Sequence, residues 1–207
     1  RPKGQSDSCR LDQTLSSRVY DEGIDLVTAV VSMMPPAWEN DKKINPDVRD
    51  MLEYFSLSEE KNDGPAALIF GDGNIIGARL DRLGLRPMRS VETQEYLAVM
   101  SEAGQIDFPP ETVLRRGRVE AGGMIYLNHD EGRIYETDEA LLKLAKAQDY
   151  SSLLKEAQIN IDNLPNCSET DPADAATRYT GDLNRFARYV GYTLNQESFK
   201  FLMDPML

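Results

Sequence analysis

The segment from residue 81 to residue 87 contains the residue types that are best suited to chemistry. It reads Asp-Arg-Leu-Gly-Leu-Arg-Pro, and it follows an apolar stretch that we predict to be a strand. Two guanidinium groups near a carboxylate suit the recognition of an anion, because their N–H donors form a rigid fork. The same residues would also serve as a salt-bridged turn that braces a hairpin. On residue types alone, bracing is the simpler interpretation.

A second candidate site is the segment Gly-Gln-Ser-Asp-Ser at residues 4 to 8, directly before a predicted helix. Ser6 or Asp7 could cap this helix, because a side-chain oxygen at the cap position accepts hydrogen bonds from the first free amides. The alternative is that the Asp7 carboxylate faces a cleft at the start of the helix and binds a cationic group, such as an α-ammonium. The sequence leaves both interpretations open.

Histidine and cysteine provide little material for a metal site or a catalytic triad. His129 is the single histidine and lies in a run of turn residues, so we predict that it is a surface turn residue. Cys9 and Cys167 are far apart and belong to no Cys-x-x-Cys or Cys/His ligand pattern. We predict two free thiols in a reducing compartment, and no metal site in this segment.

The elements that must position these residues follow from the spacing of the apolar residues. Recurrence at three and four residues predicts two helices between Arg10 and Met34, which are separated at Gly23, and a third helix that begins after Asn45. A period of two then predicts short antiparallel strands, at residues 66–70, 75–80, 96–100, 113–119, 123–127 and 133–135. Helical spacing returns beyond Ala140. Helices before and after a block of strands indicate the α+β class.

Composition divides the chain into three parts. Residues 1–150 have enough apolar residues to form one domain, whereas residues 160–179 are dominated by Asn, Asp, Pro, Ser and Thr. We therefore predict a linker over residues 151–182. Residues 183–207 are again rich in aromatic and aliphatic side chains, which a solvated tail would not retain. We expect this last segment to pack on a partner surface.

The chain is strongly acidic. It has 35 acidic and 23 basic residues among 207, which gives a formal net charge of -12. Because Lys and Arg form no tight cluster, this charge argues against nucleic acid as a partner. The apolar runs are too short to cross a bilayer, and no leader sequence opens the chain. We therefore expect a cytoplasmic protein with no membrane partner.

Four motifs resemble signatures of the class II glutamine amidotransferases, a family whose glutaminases use an N-terminal cysteine. They occur in the order of that family, as Ser6-Asp7-Ser8, Asp63-Gly64-Pro65-Ala66, Asp81-Arg82-Leu83-Gly84-Leu85-Arg86-Pro87 and Ser101-Glu102. Three longer segments resemble glutamate synthases in particular, at residues 35–40, 101–111 and 117–124. Gly191-Tyr192-Thr193 and Pro205-Met206 resemble the entry into the central domain of those enzymes. The resemblance thus assigns residues 1–150 to the C-terminal half of the amidotransferase domain, and residues 183–207 to the start of the central domain.

The resemblance implies a fold and a reaction. The implied fold is part of the four-layer αββα sandwich of the N-terminal nucleophile hydrolases, with mostly antiparallel strands. In the implied reaction, a cysteine thiolate attacks the side-chain amide of glutamine and releases ammonia, which the synthase domains transfer to 2-oxoglutarate to give glutamate. FMN, an iron–sulfur cluster and electrons from NAD(P)H or ferredoxin are implied for the intact enzyme, and no cofactor for this segment. The implied partners are glutamine, the remaining synthase domains, an electron-donor subunit or ferredoxin, and a second copy in a homo-oligomer.

The resemblance also implies roles for individual residues. Asp7 would hold the α-amino group of glutamine, and Ser6 would shape the loop around it. Asp81, Arg82 and Arg86 match a family signature, and we interpret them as braces near the cleft. The nucleophile, a substrate-binding arginine and an Asn-Gly oxyanion pair precede the Ser-Asp-Ser motif in the family. We therefore expect no catalytic residue in this segment and no activity from the segment alone.

Two other functions fit the same residues. A non-catalytic module could keep the fold without the chemistry. The segment could also belong to another class II enzyme, an amidophosphoribosyltransferase or an asparagine synthetase, although the residues around Trp38 and the C-terminal extension argue against this.

Overall fold

The structure is a computed structural model that describes residues 4–58, 61–62, 64–159 and 198–203. The chain divides into two units, residues 1–159 and residues 160–207. In the second unit, the structure describes one π-helical segment, Ser198–Met203, in which Phe201 is exposed. The predicted linker and the predicted partner-binding segment 183–207 therefore lie mostly outside the described residues, and their boundaries stay predictions.

Five α-helices are described in the first unit, and they are α1 (Asp7–Tyr20), α2 (Leu26–Met33), α3 (Pro46–Ser58), α4 (Thr137–Ala145) and α5 (Tyr150–Ala157). The predicted break between the first two helices is at Gly23, which has a positive φ of 72°. Asp25 caps α2, because its carboxylate accepts a hydrogen bond from the backbone N–H of Thr28 at 3.0 Å. Helix α5 occupies the first residues of the range that the sequence assigns to a linker.

Seven strands are described and form two antiparallel sheets. They are β1 (Ala67–Gly71), β2 (Ile75–Leu80), β3 (Arg89–Thr93), β4 (Leu97–Met100), β5 (Val113–Arg118), β6 (Met124–Asn128) and β7 (Arg133–Glu136). The four-stranded sheet has the order β1-β2-β6-β7, and the three-stranded sheet has the order β4-β3-β5. All of these neighbouring strands are antiparallel. The α+β class and the antiparallel strands are thus confirmed.

Strand β3 is the one described strand that the apolar pattern did not predict. It reads Arg-Ser-Val-Glu-Thr, so Val91 is its only aliphatic residue. It nevertheless forms the centre of the three-stranded sheet, with β4 on one side and β5 on the other. Backbone hydrogen bonds to both neighbours, rather than an alternating apolar face, stabilise this strand.

Alternate side chains of the four-stranded sheet pack against different layers. Phe70 and Tyr126 belong to an apolar cluster that includes Val30 of α2 and Leu52 of α3. Ile125 and its neighbour across the ladder, Ala78, belong instead to a second cluster with residues next to the three-stranded sheet, namely Met88 and Val119. The described residues therefore form three successive layers: helices, the four-stranded sheet and the three-stranded sheet. This agrees with the partial αββα sandwich that the resemblance implied.

Within the described ranges, every helix falls short of the length and hydrophobicity that crossing a bilayer requires.

Candidate functional site

The start of α1 borders a cleft of 1160 Å³ in the first unit. Its walls come from α1, from the residues between α3 and β1, from β1 itself and from the turn that follows β2. Carboxylate groups of Asp7, Asp12 and Asp72 line it together with the cationic side chains of Lys61 and Arg86. Because charges of both signs meet around one space, the cleft suits a ligand that carries both signs itself.

The two interpretations of the segment at the start of α1, helix capping and ligand binding, apply to two different side chains. Ser6 is the N-cap residue, since its backbone is extended and its Oγ accepts a hydrogen bond from the N–H of Cys9 at 3.3 Å. Asp7 is the first residue of the helix, is exposed and lines the cleft. Within the described residues, its carboxylate has no hydrogen-bond or ion-pair partner. Capping by Ser6 thus leaves Asp7 available to a ligand.

Asp81 braces the turn that follows β2, but it does so through backbone amides. It is 4% exposed, and its carboxylate accepts hydrogen bonds from the N–H groups of Ala66 at 3.0 Å, Leu83 at 2.8 Å and Gly84 at 3.2 Å. Three such donors occupy most of the acceptor positions of a carboxylate. The turn therefore wraps around a buried carboxylate that accepts three backbone amides.

The same turn is fixed against the connection between β5 and β6. Gly84 has a positive φ of 62°, and a Cβ atom at this position would lie 2.5 Å from the Cβ of Ala121. The N–H of Gly122 donates to the backbone carbonyl of Asp81 at 2.8 Å. A side chain at residue 84 would therefore meet both backbone strain and a steric clash. This close packing holds the part of the turn from which Arg86 reaches the cleft.

Lys61 has an ion-pair partner in the protein, whereas Arg86 has none among the described residues. Lys61 Nζ lies 2.8 Å from Glu39 Oε1 and 5.9 Å from the ring centroid of Trp38. Hydrogen bonding to Lys61 lowers the pKa of Glu39 to about 2, so this carboxylate is ionised at neutral pH. Arg86 is exposed, and the described part of the chain offers it no carboxylate partner. Its guanidinium group is free to meet a ligand.

Arg79 is a buried cation that the sequence pattern did not identify. Its side chain is 0% exposed, and its Nε donates to the carbonyl of Met34 at 2.7 Å. Its two terminal nitrogens have no hydrogen-bond partner among the described residues. Burial lowers the pKa of Arg79 to about 9, which still leaves it charged at neutral pH. Leu68, which lines the cleft, lies opposite Arg79 in the β1–β2 ladder.

The remaining sequence candidates are distributed over the surface. Ser101 lines the cleft, and its Oγ accepts a hydrogen bond from Gln105 Nε2 at 3.0 Å. His129 is an exposed turn residue, as predicted. Cys9 is a half-buried free thiol, whereas Cys167 lies outside the described residues. In the part of the chain that the structure describes, no three His, Cys, Asp or Glu side chains come together as a metal site.

Comparison with known proteins identifies the family. The sequence profile described as glutamine amidotransferases class-II matches residues 2–153. The chain is 30% identical over 209 aligned residues to glutamate synthase (NADH) of Schizosaccharomyces pombe, covering 99% of this chain and 10% of that protein. It is 35% identical over 156 residues to ferredoxin-dependent glutamate synthase 2 of Synechocystis sp., covering 74% of this chain and 10% of the relative.

A third relative is the glutamate synthase (NADPH) large chain of Bacillus subtilis, with 34% identity over 175 residues, which cover 84% of this chain and 11% of the relative. The chain therefore spans about a tenth of the length of these relatives. The family profile, in contrast, covers every strand of both sheets and the helices α1 to α4. It also covers the first residues of α5. On this match, the chain belongs to the class II glutamine amidotransferases.

Proposed function

We propose that this chain is part of the glutaminase domain of a glutamate synthase, in which ammonia released from glutamine is transferred to 2-oxoglutarate to give glutamate. The observation that carries the proposal is the exposed carboxylate of Asp7, which lines the cleft and is left without a partner by the described residues. The family match and the names of the relatives supply the reaction.

In this proposal, Asp7 binds the α-ammonium group of glutamine. A carboxylate at the start of a helix is compatible with the positive end of the helix dipole. A hydrogen bond between two charged groups contributes about 1.5 to 3 kcal/mol. Ser6 acts indirectly, because its cap fixes the backbone from which Asp7 projects.

We assign the nucleophile to chain outside these 207 residues. Cys9 is poorly suited to the role, because its nitrogen is a peptide amide that donates to Ser6 Oγ and cannot serve as a free α-amine base. Its Sγ accepts a weak hydrogen bond from Gln13 Nε2 at 3.7 Å. On this assignment, the segment supplies one wall of the substrate cleft, and the intact protein completes the catalytic site.

FMN and an iron–sulfur cluster belong to the same proposal, and we assign both to other domains of the intact enzyme. The named relatives use NADH, NADPH or ferredoxin, so the electron donor is either ferredoxin or a donor bound by a partner subunit or domain. The free thiol of Cys9 supports a cytoplasmic location, since reducing compartments keep thiols unpaired.

Isotope transfer in the full-length protein tests this function. Glutamine labelled with 15N in its side-chain amide is incubated with 2-oxoglutarate and each electron donor in turn. The proposal predicts label in the α-amino group of newly formed glutamate. Residues 1–207 alone should neither hydrolyse glutamine nor form an adduct with diazo-oxo-norleucine. A full-length protein that binds glutamine but never releases ammonia would instead support a non-catalytic module with this fold.

A further inference from the structure

We propose that Arg79 is a positioning residue for the glutamine cleft, because it fixes the end of α2, against which both walls of the cleft pack. This inference rests on the proposed function and extends it from the cleft walls to the layer behind them. Arg79 belongs to β2, is 0% exposed and is not among the residues that line the cleft. It would therefore influence the substrate only through other residues.

The end of α2 is the first support, because the chain that follows it has no donors to offer. The last carbonyl groups of a helix have no partners within the helix, and the N–H groups of the following residues commonly satisfy them. The two residues after Met34 are prolines, which have no backbone N–H. Two donors from other elements replace them. The N–H of Asn62 donates to the carbonyl of Met33 at 2.8 Å, and Nε of Arg79 donates to the carbonyl of Met34 at 2.7 Å.

The packing of Met33 and Met34 is the second support. Both side chains are 2% exposed, and they form an apolar cluster with residues that all line the cleft, namely Leu11, Leu15, Ala66 and Leu68. The first two of these come from α1 and the last two from β1 and the residue before it, so the cluster supports both walls. Leu11 lies one helical turn after Asp7 and therefore on the same side of α1. A displacement of the two methionines would move Asp7 relative to the opposite wall.

Hydrogen bonds extend this support to the wall between α3 and β1. Asn62 lines the cleft, and its N–H is the donor to the carbonyl of Met33. Ala66 packs against the same methionines and donates its N–H to the buried carboxylate of Asp81. The backbone of this wall is thus fixed to the end of α2, which Arg79 in turn fixes to β2.

The free-energy cost of burying Arg79 is the third support. Its two terminal nitrogens have no hydrogen-bond partner among the described residues. Removing a guanidinium group from water costs more free energy than one hydrogen bond to a neutral carbonyl returns, and the negative end of the α2 dipole offsets only part of this cost. A buried side chain that mainly stabilised the fold would have its donors paired. We therefore attribute Arg79 to the placement of the cleft, a role in which function is gained at the expense of stability.

Kinetics and amide hydrogen exchange of the full-length enzyme test this role with Arg79→Met, which removes the charge and the donors but keeps an extended side chain. The KM for glutamine should rise by about tenfold, with a smaller change in kcat, because the binding wall is misplaced. Glutamate synthesis from free ammonia should stay close to the wild-type rate. The amide of Asn62 should exchange faster, whereas the amides of β6 should stay as protected as in wild type or become more protected, since a buried charge has been removed. Arg79→Lys, which keeps the charge and a donor, should have a KM between those of wild type and Arg79→Met.

Ile125→Val is the matched control, because Ile125 is also buried in the four-stranded sheet but packs in the cluster of Met88 and Val119. It should lower the protection of β6 and leave the KM for glutamine unchanged. Two results would overturn the inference: a wild-type KM in Arg79→Met, or an Arg79→Met protein that does not fold or loses protection throughout β6, which would show that Arg79 stabilises the fold. If Asp7→Asn impairs glutamine use while Arg79→Met does not, the proposed function stands and only this inference fails. A wild type without glutamine-dependent activity refutes both.

Discussion

At the scale of single residues, the neighbours Ser6 and Asp7 show how one short motif can combine a structural and a functional side chain. Ser6 satisfies a free amide of α1, and Asp7 faces the cleft. The sequence could identify both residues as candidates, because Ser and Asp are preferred before helices and the motif resembles a family signature. It could not divide the roles between them, since that depends on the backbone conformation of Ser6.

The cap role of Ser6 makes a direct prediction. Ser6→Ala should lower the free energy of unfolding by about 1 kcal/mol, because the N–H of Cys9 loses its acceptor. Ser6→Asn, which keeps a good capping side chain, should stay close to wild type. Urea denaturation of the three proteins measures both effects. If Ala and Asn destabilise the protein equally, the side chain of Ser6 has a role other than capping.

The burial of Arg79 could not be predicted from its residue type. An arginine in an apolar strand is normally expected at the surface, with its charged end in water. In the fold, the side chain lies between the helices and the four-stranded sheet, with Nε on the carbonyl of Met34. Only the placement of α2 over β2 creates this environment, and no spacing within the strand encodes it.

At the scale of elements, apolar spacing predicted the helices and most strands because their buried faces recur regularly. It failed at β3, where strand formation depends on pairing with β4 and β5 and on contacts such as the ion pair between Arg115 and Glu92. β4 follows β3 directly, but Arg115 of β5 lies 23 residues from Glu92. The turn at residues 81–87 was recognised as unusual, but the role of Asp81 as an acceptor for three amides depends on the approach of Ala66, which lies directly before β1.

The packing of this turn can be tested at Gly84. Gly84→Ala combines a positive φ of 62° with a Cβ that would lie 2.5 Å from the Cβ of Ala121, whereas Gly73→Ala combines a positive φ of 96° with open space. Backbone strain costs about 1 kcal/mol at each site, and overpacking adds about 1 to 3 kcal/mol at Gly84 alone. Thermal and urea unfolding should therefore show a larger loss for Gly84→Ala. Equal losses of stability in the two variants would mean that Ala121 shifts to accommodate the new Cβ with no loss of free energy.

At the scale of the whole molecule, the first unit stacks helices, a four-stranded sheet and a three-stranded sheet. The α+β class followed from the order of elements along the chain, and the layered sandwich from the family resemblance. Which of the seven described strands belongs to which sheet did not follow from either, because β2 pairs with β6 rather than with its neighbour in sequence, β3. The central proposal concerns the cleft of this unit: the space beside α1 receives glutamine.

The most direct test of this claim compares two activities of the full-length protein in wild type and in Asp7→Asn. Removing the charge while keeping the shape should lower kcat/KM for glutamine by about ten- to a hundredfold, since a charge-assisted hydrogen bond to the substrate is lost. Glutamate synthesis from free ammonia should stay close to the wild-type rate, because that path bypasses the cleft. Equal retention of both activities in Asp7→Asn would contradict the account and remove Asp7 from the substrate site.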